Sequence, residues 1–260
     1  MPLLPLALLP FTAHGDPRAN AARIRGGIVA AAQAGARVLL TPECGLPGYP
    51  SAAQENLAGV DWGLIADLED ELARVAEQHG ILLVTGSAAP GEGGCTNDAL
   101  MCGAVAPVRY QKQCLTPTDR QHFVAGSAAV TVEFAGWRLG VAICYDLRFI
   151  DVFMRLAQAG ADAFLVIAHM AGPDPDPGTK AALIPQLCAT RAAELATPLA
   201  FCNTAADNRY CDSAVWDARG MRVATAAEGL FTATLAPRET FDPWYANLRH
   251  EALTRWASVR

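Results

Sequence analysis

Val141-Ala142-Ile143-Cys144-Tyr145-Asp146-Leu147-Arg148-Phe149 is the stretch that decides how this chain is read. The apolar run from Leu139 to Ile143 ends at a cysteine, and polar residues follow at once. A run this short and this apolar reads as a buried strand. It stops at Cys144 and turns into a helix. That geometry lifts a side chain to the rim of a sheet, where a nucleophile is useful.

Working outward, apolar strands alternate with helical patterns. Ala21 to Gln33 carries Ile24, Ile28 and Ala31 on one face, and Gly35 ends it. Val38-Leu39-Leu40 follows as a short buried strand leading to Glu43. Leu64, Leu68, Leu72 and Val75 mark a second helix, and Ile81 to Val84 the next strand. Asp98–Val105, Val108–Lys112, Val130–Phe134 and Trp137–Ile143 read as strands on short connections, with Ala135-Gly136 as a hairpin turn. Alternation then resumes: helix Phe149–Gln158, strand Ala163–Ile167, helix Lys180–Ala196, strand Leu199–Asn203. Strands near Ala214–Trp216, Met221–Thr225 and Phe231–Leu235 follow, with Asp217 to Gly220 as a turn. Pro173 to Gly178 reads as a rigid loop inside the second half. Strand–helix–strand units in both halves, with antiparallel strands between, predict two sheets covered by helices in one domain over 1–240. The tail, 241–260, carries Trp244, Tyr245, Leu248 and Trp256 and is expected to pack on the body or on a neighbouring subunit.

Composition narrows the function classes. The chain has 260 residues, 52% hydrophobic and 18% charged, with a formal net charge of −6. A core is affordable and disorder is disfavoured. No basic stripe is present, which argues against a nucleic-acid partner. The start, Met1 to Pro10, lacks a positive n-region and is broken by prolines, so a strand around Leu6–Leu9 is expected rather than a secretory signal. No run approaches the ~20 apolar residues of a membrane span. Cys44, Cys95, Cys102, Cys114, Cys144, Cys188, Cys202 and Cys211 form no Cys-x-x-Cys pair, and the histidines lack metal-ligand spacing, so no metal site is expected. Reduced thiols in the cytoplasm are the default.

A working cysteine needs help, because a free thiol has a pKa of about 8.5. Either a base takes its proton or a cation stabilises the thiolate. Glu43, in Thr41-Pro42-Glu43-Cys44-Gly45, follows a strand, and ligand sites in open α/β sheets favour the carboxyl ends of strands. Lys112, at the end of Arg109-Tyr110-Gln111-Lys112, offers an ammonium for an oxyanion as well as the thiolate. Taken singly, each residue also fits a structural role: Cys144 in the core, Glu43 in a solvated loop, Lys112 on the surface. Spacing alone does not bring the three together.

The three segments together, Thr41-Pro42-Glu43, Tyr110-Gln111-Lys112 with Leu115 and Pro117, and Cys144-Tyr145-Asp146-Leu147-Arg148-Phe149, resemble in order and spacing the three signatures of the nitrilase superfamily of carbon–nitrogen hydrolases. The likeness extends to Asp16-Pro17 with Asn20, Ala32 to Gly35, Arg191-Ala192-Ala193-Glu194 and Asn203. It implies an α-β-β-α sandwich of two mixed sheets with helices on both outer faces, assembled as a homodimer or larger homo-oligomer. It implies Glu43 as general base, Lys112 as stabiliser of the tetrahedral intermediate, Cys144 as nucleophile and the Tyr145 N–H as a second oxyanion donor, with no metal or organic cofactor. Many members carry a further glutamate four residues before an aromatic. Here that position is Asp119, one methylene shorter, read as a residue that orients the site or as a plain loop aspartate.

Other candidates keep two readings. His169 lines the pocket or is a satisfied loop residue. Tyr49 closes the pocket or packs on it. Asp146 and Arg148 brace the turn by ion pairing, or Arg148 meets a substrate carboxylate. Cys44 reads as packing, and Gly91-Glu92-Gly93-Gly94 as a turn without the Lys-Ser/Thr of a phosphate loop. Cys-Tyr-Asp-Leu-Arg-Phe resembles the amidase branch that includes ω-amidase. The expected activity is therefore hydrolysis of a small carboxamide to acid and ammonia through a thioester. Hydrolysis of a nitrile or an N-carbamoyl compound is the alternative, and a catalytically silent scaffold is the rival from another class.

Overall fold

A computed structural model describes residues 1–50, 57, 59–172 and 178–258. The proline-rich loop read at Pro173 to Gly178 lies, but for its last residue, outside them. Two mixed sheets pack face to face. The first runs in the order β13-β1-β2-β3-β4-β5, where β1 is Leu4–Leu8, β2 Val38–Leu40, β3 Leu82–Gly91, β4 Gly94–Gly103, β5 Val108–Gln111 and β13 Phe231–Leu235. A two-residue strand, β6 (Phe123–Val124), adds to β4. The second runs β12-β11-β10-β9-β8-β7, with β7 Thr131–Phe134, β8 Trp137–Ile143, β9 Ala163–Ile167, β10 Leu199–Cys202, β11 Ser213–Trp216 and β12 Arg222–Ala226. Strands β1, β2 and β3 are parallel, as are β8, β9 and β10; β6 pairs β4 in parallel and the remaining pairings are antiparallel.

The period-2 pattern assigns each face of the first sheet. Ala7, Leu39 and Leu83 face helices α1 (Pro17–Gln33) and α2 (Trp62–Gln78), meeting Ile24, Ile28, Ile65 and Leu72. Leu6, Leu8, Val38, Leu40 and Val84 face inward, in one core with Val141, Ile143 and the whole of β9. The second sheet is covered by α3 (Ile150–Gln158) and α4 (Thr179–Glu194), which contribute Val152, Phe153, Ile184 and Cys188 to that core. β9 reads as an unbroken apolar run because it is buried throughout. The two layers of helices outside two sheets are the α-β-β-α arrangement expected. Among the described residues no helix is long and apolar enough to cross a membrane.

Local chemistry explains the boundaries. Asp16 caps α1 by accepting from the Arg18 N–H, with Pro17 at the first helical position. Asp61 does the same for α2 through the Leu64 N–H. Ala135 and Gly136 take φ of 52° and 79°, the left-handed pair that a two-residue hairpin needs. Two departures from expectation bear on the site. β3 runs well beyond Val84, because Thr85 and Ser87, polar yet fully buried, find partners in the Thr41 and Glu69 side chains at 2.8 and 2.5 Å. And Cys144 opens a 3-10 turn, Cys144–Arg148, so that α3 begins only at Ile150.

The tail forms α5 (Pro243–Ser258), which packs on α3 and α4. Arg249 anchors it, donating to the carbonyls of Ala157, Ala161 and Leu195 at 3.0, 2.9 and 3.1 Å. These carbonyls lie at and just beyond the ends of α3 and α4, so one guanidinium ties the tail to both.

Candidate active site

The two sheets bring four chain segments to one place. Glu43 follows β2, Lys112 follows β5, Cys144 follows β8 and His169 follows β9. Each parallel strand delivers its residue from its carboxyl end. The Glu43 N–H reaches the Ala168 carbonyl at 3.4 Å, and the His169 N–H donates to Glu43 Oε2 at 2.8 Å. Glu43 is thus fastened across the seam between the sheets.

Lys112 Nζ lies 2.6 Å from Glu43 Oε1 and 2.9 Å from Asp119 Oδ2, with all three side chains buried. Asn97 Nδ2 donates to the same Glu43 oxygen at 2.8 Å, and the Asn97 carbonyl accepts the Lys112 N–H at 2.8 Å. Asp119 is held in return: its Oδ2 accepts the Thr116 N–H at 2.9 Å, and its Oδ1 accepts the Tyr49 hydroxyl at 2.5 Å. The Tyr49 ring stacks on His169, centroids 4.4 Å apart and nearly parallel.

Cys144 sits at φ 51°, a left-handed conformation that costs a non-glycine residue about 1–3 kcal/mol and is held only where the surroundings enforce it. Asp146 supplies much of that enforcement, accepting from the Tyr110 hydroxyl, the Cys114 N–H and the Ile143 N–H at 2.7, 2.8 and 2.9 Å. The expected Asp146–Arg148 ion pair is therefore not made: these three donors occupy the carboxylate inside the fold, and Arg148 points outward, exposed. Arg191, from the Arg-Ala-Ala-Glu motif of α4, ties the same turn through the Leu147 carbonyl at 3.3 Å. Asn203 clamps the strand end opposite, accepting the Met170 N–H at 2.7 Å. Asn20, after the Asp-Pro pair, fixes the loop that follows Glu43 through the Leu46 carbonyl at 3.0 Å.

A cavity of about 360 Å³ opens over Cys144. Tyr49, Tyr145, Arg148, His169 and Tyr210 line it, while Leu147, Ile184 and Leu187 give it an apolar side. Glu43, Lys112 and Asp119 lie behind this lining, without exposure. Tyr145 presents its side chain to the cavity; its N–H belongs to the first turn of a helix, where donors have no internal partner.

Charge states follow from the surroundings. Burial, then the Glu43 carboxylate, push the Cys144 thiol well above its ordinary value, and Lys112 pulls the other way without prevailing; a hydrogen bond to Glu43 adds to the rise. Cys144 therefore rests as a thiol. Burial would lower the Lys112 ammonium, but the charges of Glu43 and Asp119 and the hydrogen bond to Glu43 outweigh it and hold it well above the usual lysine range. Burial would raise Asp119, yet Lys112 and the Tyr49 hydroxyl hold it below the usual carboxylate value. Burial keeps His169 neutral by lowering it, and pushes Tyr49 far up, so the phenol keeps its proton. Cys44, beside Glu43, is a fully buried thiol raised by burial, in keeping with packing. Among the described residues no group of three or more His, Cys, Asp or Glu is placed to hold a metal ion.

Two positioning residues lay outside the sequence reading. Asn97 sits in a strand whose polar residues carry no motif. Gly86 faces the turn at Glu43: a Cβ there would lie 2.2 Å from the Pro42 carbonyl oxygen and 2.4 Å from the Cys44 nitrogen. An isolated glycine inside a strand is a known sign of close backbone approach, and that signal was present.

The profile of the carbon–nitrogen hydrolase family matches residues 12–239. An (R)-stereoselective amidase of Pseudomonas sp is 31% identical over 156 residues, 58% of this chain and 55% of that one. The chain thus spans little more than half the length of this relative. The omega-amidase YafV of Escherichia coli K12 is 29% identical over 227 residues, 81% of this chain and 84% of that protein. Among solved structures, an amidase from Nesterenkonia sp. superposes with a TM-score of 0.79 at 25% identity, covering 97% of this chain and 96% of that one.

Proposed function

Because the chain belongs to the carbon–nitrogen hydrolase family, we propose that it hydrolyses a small carboxamide to acid and ammonia, with Glu43, Lys112 and Cys144 as the reacting set. One observation carries the reading: a buried carboxylate, Glu43, holds a buried ammonium, Lys112, at 2.6 Å, and both act on the charge state of the buried Cys144 thiol. The omega-amidase and stereoselective amidase relatives favour an amide over other carbon–nitrogen bonds.

Since the thiol is protonated at rest, activation is by base and not by a preformed thiolate. Glu43 Oε1 is occupied by Lys112 and Asn97, which leaves Oε2 to take the proton as sulfur attacks the carbonyl carbon. The carbonyl π pair moves to oxygen. An ammonium has three N–H donors, and Glu43 and Asp119 take two; the third, with the Tyr145 N–H, serves the oxyanion. As the intermediate collapses, Glu43 returns the proton to nitrogen, the C–N bond breaks and ammonia leaves a thioester. Glu43 then deprotonates water for attack on the thioester, and its proton passes to the departing Cys144 sulfur. Asp119 keeps Lys112 charged and aimed.

Ammonia release across a panel of small primary amides, with mass spectrometry for an acyl group on Cys144, tests the reading. Carboxamide accumulating from a nitrile, faster turnover of an N-carbamoyl compound, or neither adduct nor ammonia would each overturn it. The same reading extends to a homodimer or larger assembly in the cytoplasm, tested by light scattering and cell fractionation.

A further inference from the structure

Tyr49 and His169 form a stacked wall of the cavity over Cys144. The Tyr49 hydroxyl donates to Asp119 Oδ1 at 2.5 Å. Asp119 is ionised, since Lys112 and the Thr116 N–H occupy its other oxygen. An ionised carboxylate only accepts hydrogen bonds, so Tyr49 is the donor in this pair. Its single proton is committed. What the phenol oxygen has left is lone-pair density, and it is Tyr49, not the fully buried Asp119, that lines the cavity.

An amide in this cavity has two polar ends. Its carbonyl oxygen is served by the donors of Lys112 and Tyr145. Its N–H groups need an acceptor, and Glu43 Oε2 already accepts the His169 N–H at 2.8 Å while Oε1 accepts Lys112 and Asn97. We propose that the phenol oxygen of Tyr49 accepts an N–H of the scissile amino group, and so selects carboxamides over esters and nitriles, which have no N–H to give. A site built around such an acceptor rejects analogues lacking the donor, because the buried acceptor is then left unpaired. The proposal rests on the amidase reading and adds to it the group that recognises the leaving nitrogen.

The test separates the two. Acrylamide and methyl acrylate both alkylate a thiol by adding sulfur to the terminal alkene carbon while the thiol proton goes to the α-carbon; only acrylamide carries N–H. Labelling of Cys144 by each is timed by mass spectrometry in the unmodified protein and in Tyr49→Phe, each rate normalised to free cysteine. Phe keeps the stacked ring, and the lost bond to Asp119 affects both reagents alike, so the ratio of the two rates is the measurement. Removing one neutral hydrogen bond should lower the acrylamide-to-methyl-acrylate ratio about 2- to 10-fold. An unchanged ratio overturns the proposal. Should Tyr49→Phe fail to fold, the unmodified protein decides: no normalised preference for acrylamide overturns it equally. Butyramide turnover by the unmodified protein is scored separately. Its absence counts against the amidase reading, while the labelling ratio still decides the role of Tyr49.

Discussion

Replacing Lys112 with Met keeps most of the side-chain volume and removes the charge. In the native fold this ammonium lies between Glu43 and Asp119 at 2.6 and 2.9 Å, with none of the three side chains exposed. Removing one member of a buried ion pair strands its partners and costs about 3–5 kcal/mol. In a domain of this size that is about 2–4 °C of melting temperature per kcal/mol. The cost carries a pH signature. In the native protein Lys112 holds Asp119 below its ordinary value, so Asp119 adds stability above its unfolded pKa, and that stability is lost as pH falls through the folded value. In Lys112→Met the cation is gone; burial, the largest influence on Asp119, is then opposed by the Tyr49 and Thr116 hydrogen bonds without it, so Asp119 should rise. The folded state then binds the proton more tightly than the unfolded chain, so stability falls as pH rises. Thermal unfolding of both proteins at pH 5 and pH 8 reads this directly: the gap between them should be wide at pH 8 and narrow at pH 5. Turnover should fall about 10²–10³-fold through loss of an oxyanion donor. A gap below about 1 kcal/mol, or one that does not change with pH, would refute the charge assignment of the buried cluster.

Cys144→Ala should abolish turnover and leave the circular dichroism spectrum and melting curve close to native, since alanine keeps the Cβ and the backbone geometry and removes only one buried sulfur atom; Glu43→Gln should cost about 10²–10⁴-fold in acylation, measured by single-turnover acyl-adduct formation. Gly86→Ala should lower both stability, by about 1–3 kcal/mol, and turnover, because the added methyl group pushes on the Pro42-to-Cys44 backbone; equal activity with lowered stability would show that the Glu43 turn absorbs the strain. Arg249→Leu should loosen α5, leaving the Ala157, Ala161 and Leu195 carbonyls without that donor, and limited proteolysis should release a tail fragment faster than from the unmodified protein. Tail cleavage at an unchanged rate would count against Arg249 as the anchor.

Much of the fold was legible in the sequence because the buried parallel strands are apolar without interruption. β8 and β9 match their expected bounds, and the turn at Ala135-Gly136 announces its positive φ through its glycine. Legibility failed where polar residues are buried in pairs. Thr85 and Ser87 hide the second half of β3, because their partners come from Thr41 and Glu69, far along the chain. The site follows the same division. Glu43, Lys112 and Cys144 stand out because each closes a strand within a recognisable motif. Asn97 does not: its value lies in one amide hydrogen aimed at Glu43, and nothing around it in the chain reports that aim. The Asp146–Arg148 pairing was misread because adjacency in sequence suggested a partner, whereas three donors inside the fold were nearer.

The fastening of Glu43 to the residues that follow β9 has a wider consequence. The carboxylate is carried by one layer and steadied by the other, so its position gauges how the two slabs are aligned. A substitution deep between them, far from any substrate, that slides one layer by a fraction of an ångström would misplace the proton acceptor before it loosened the core. Screens that follow turnover should therefore register interior repacking that melting curves overlook.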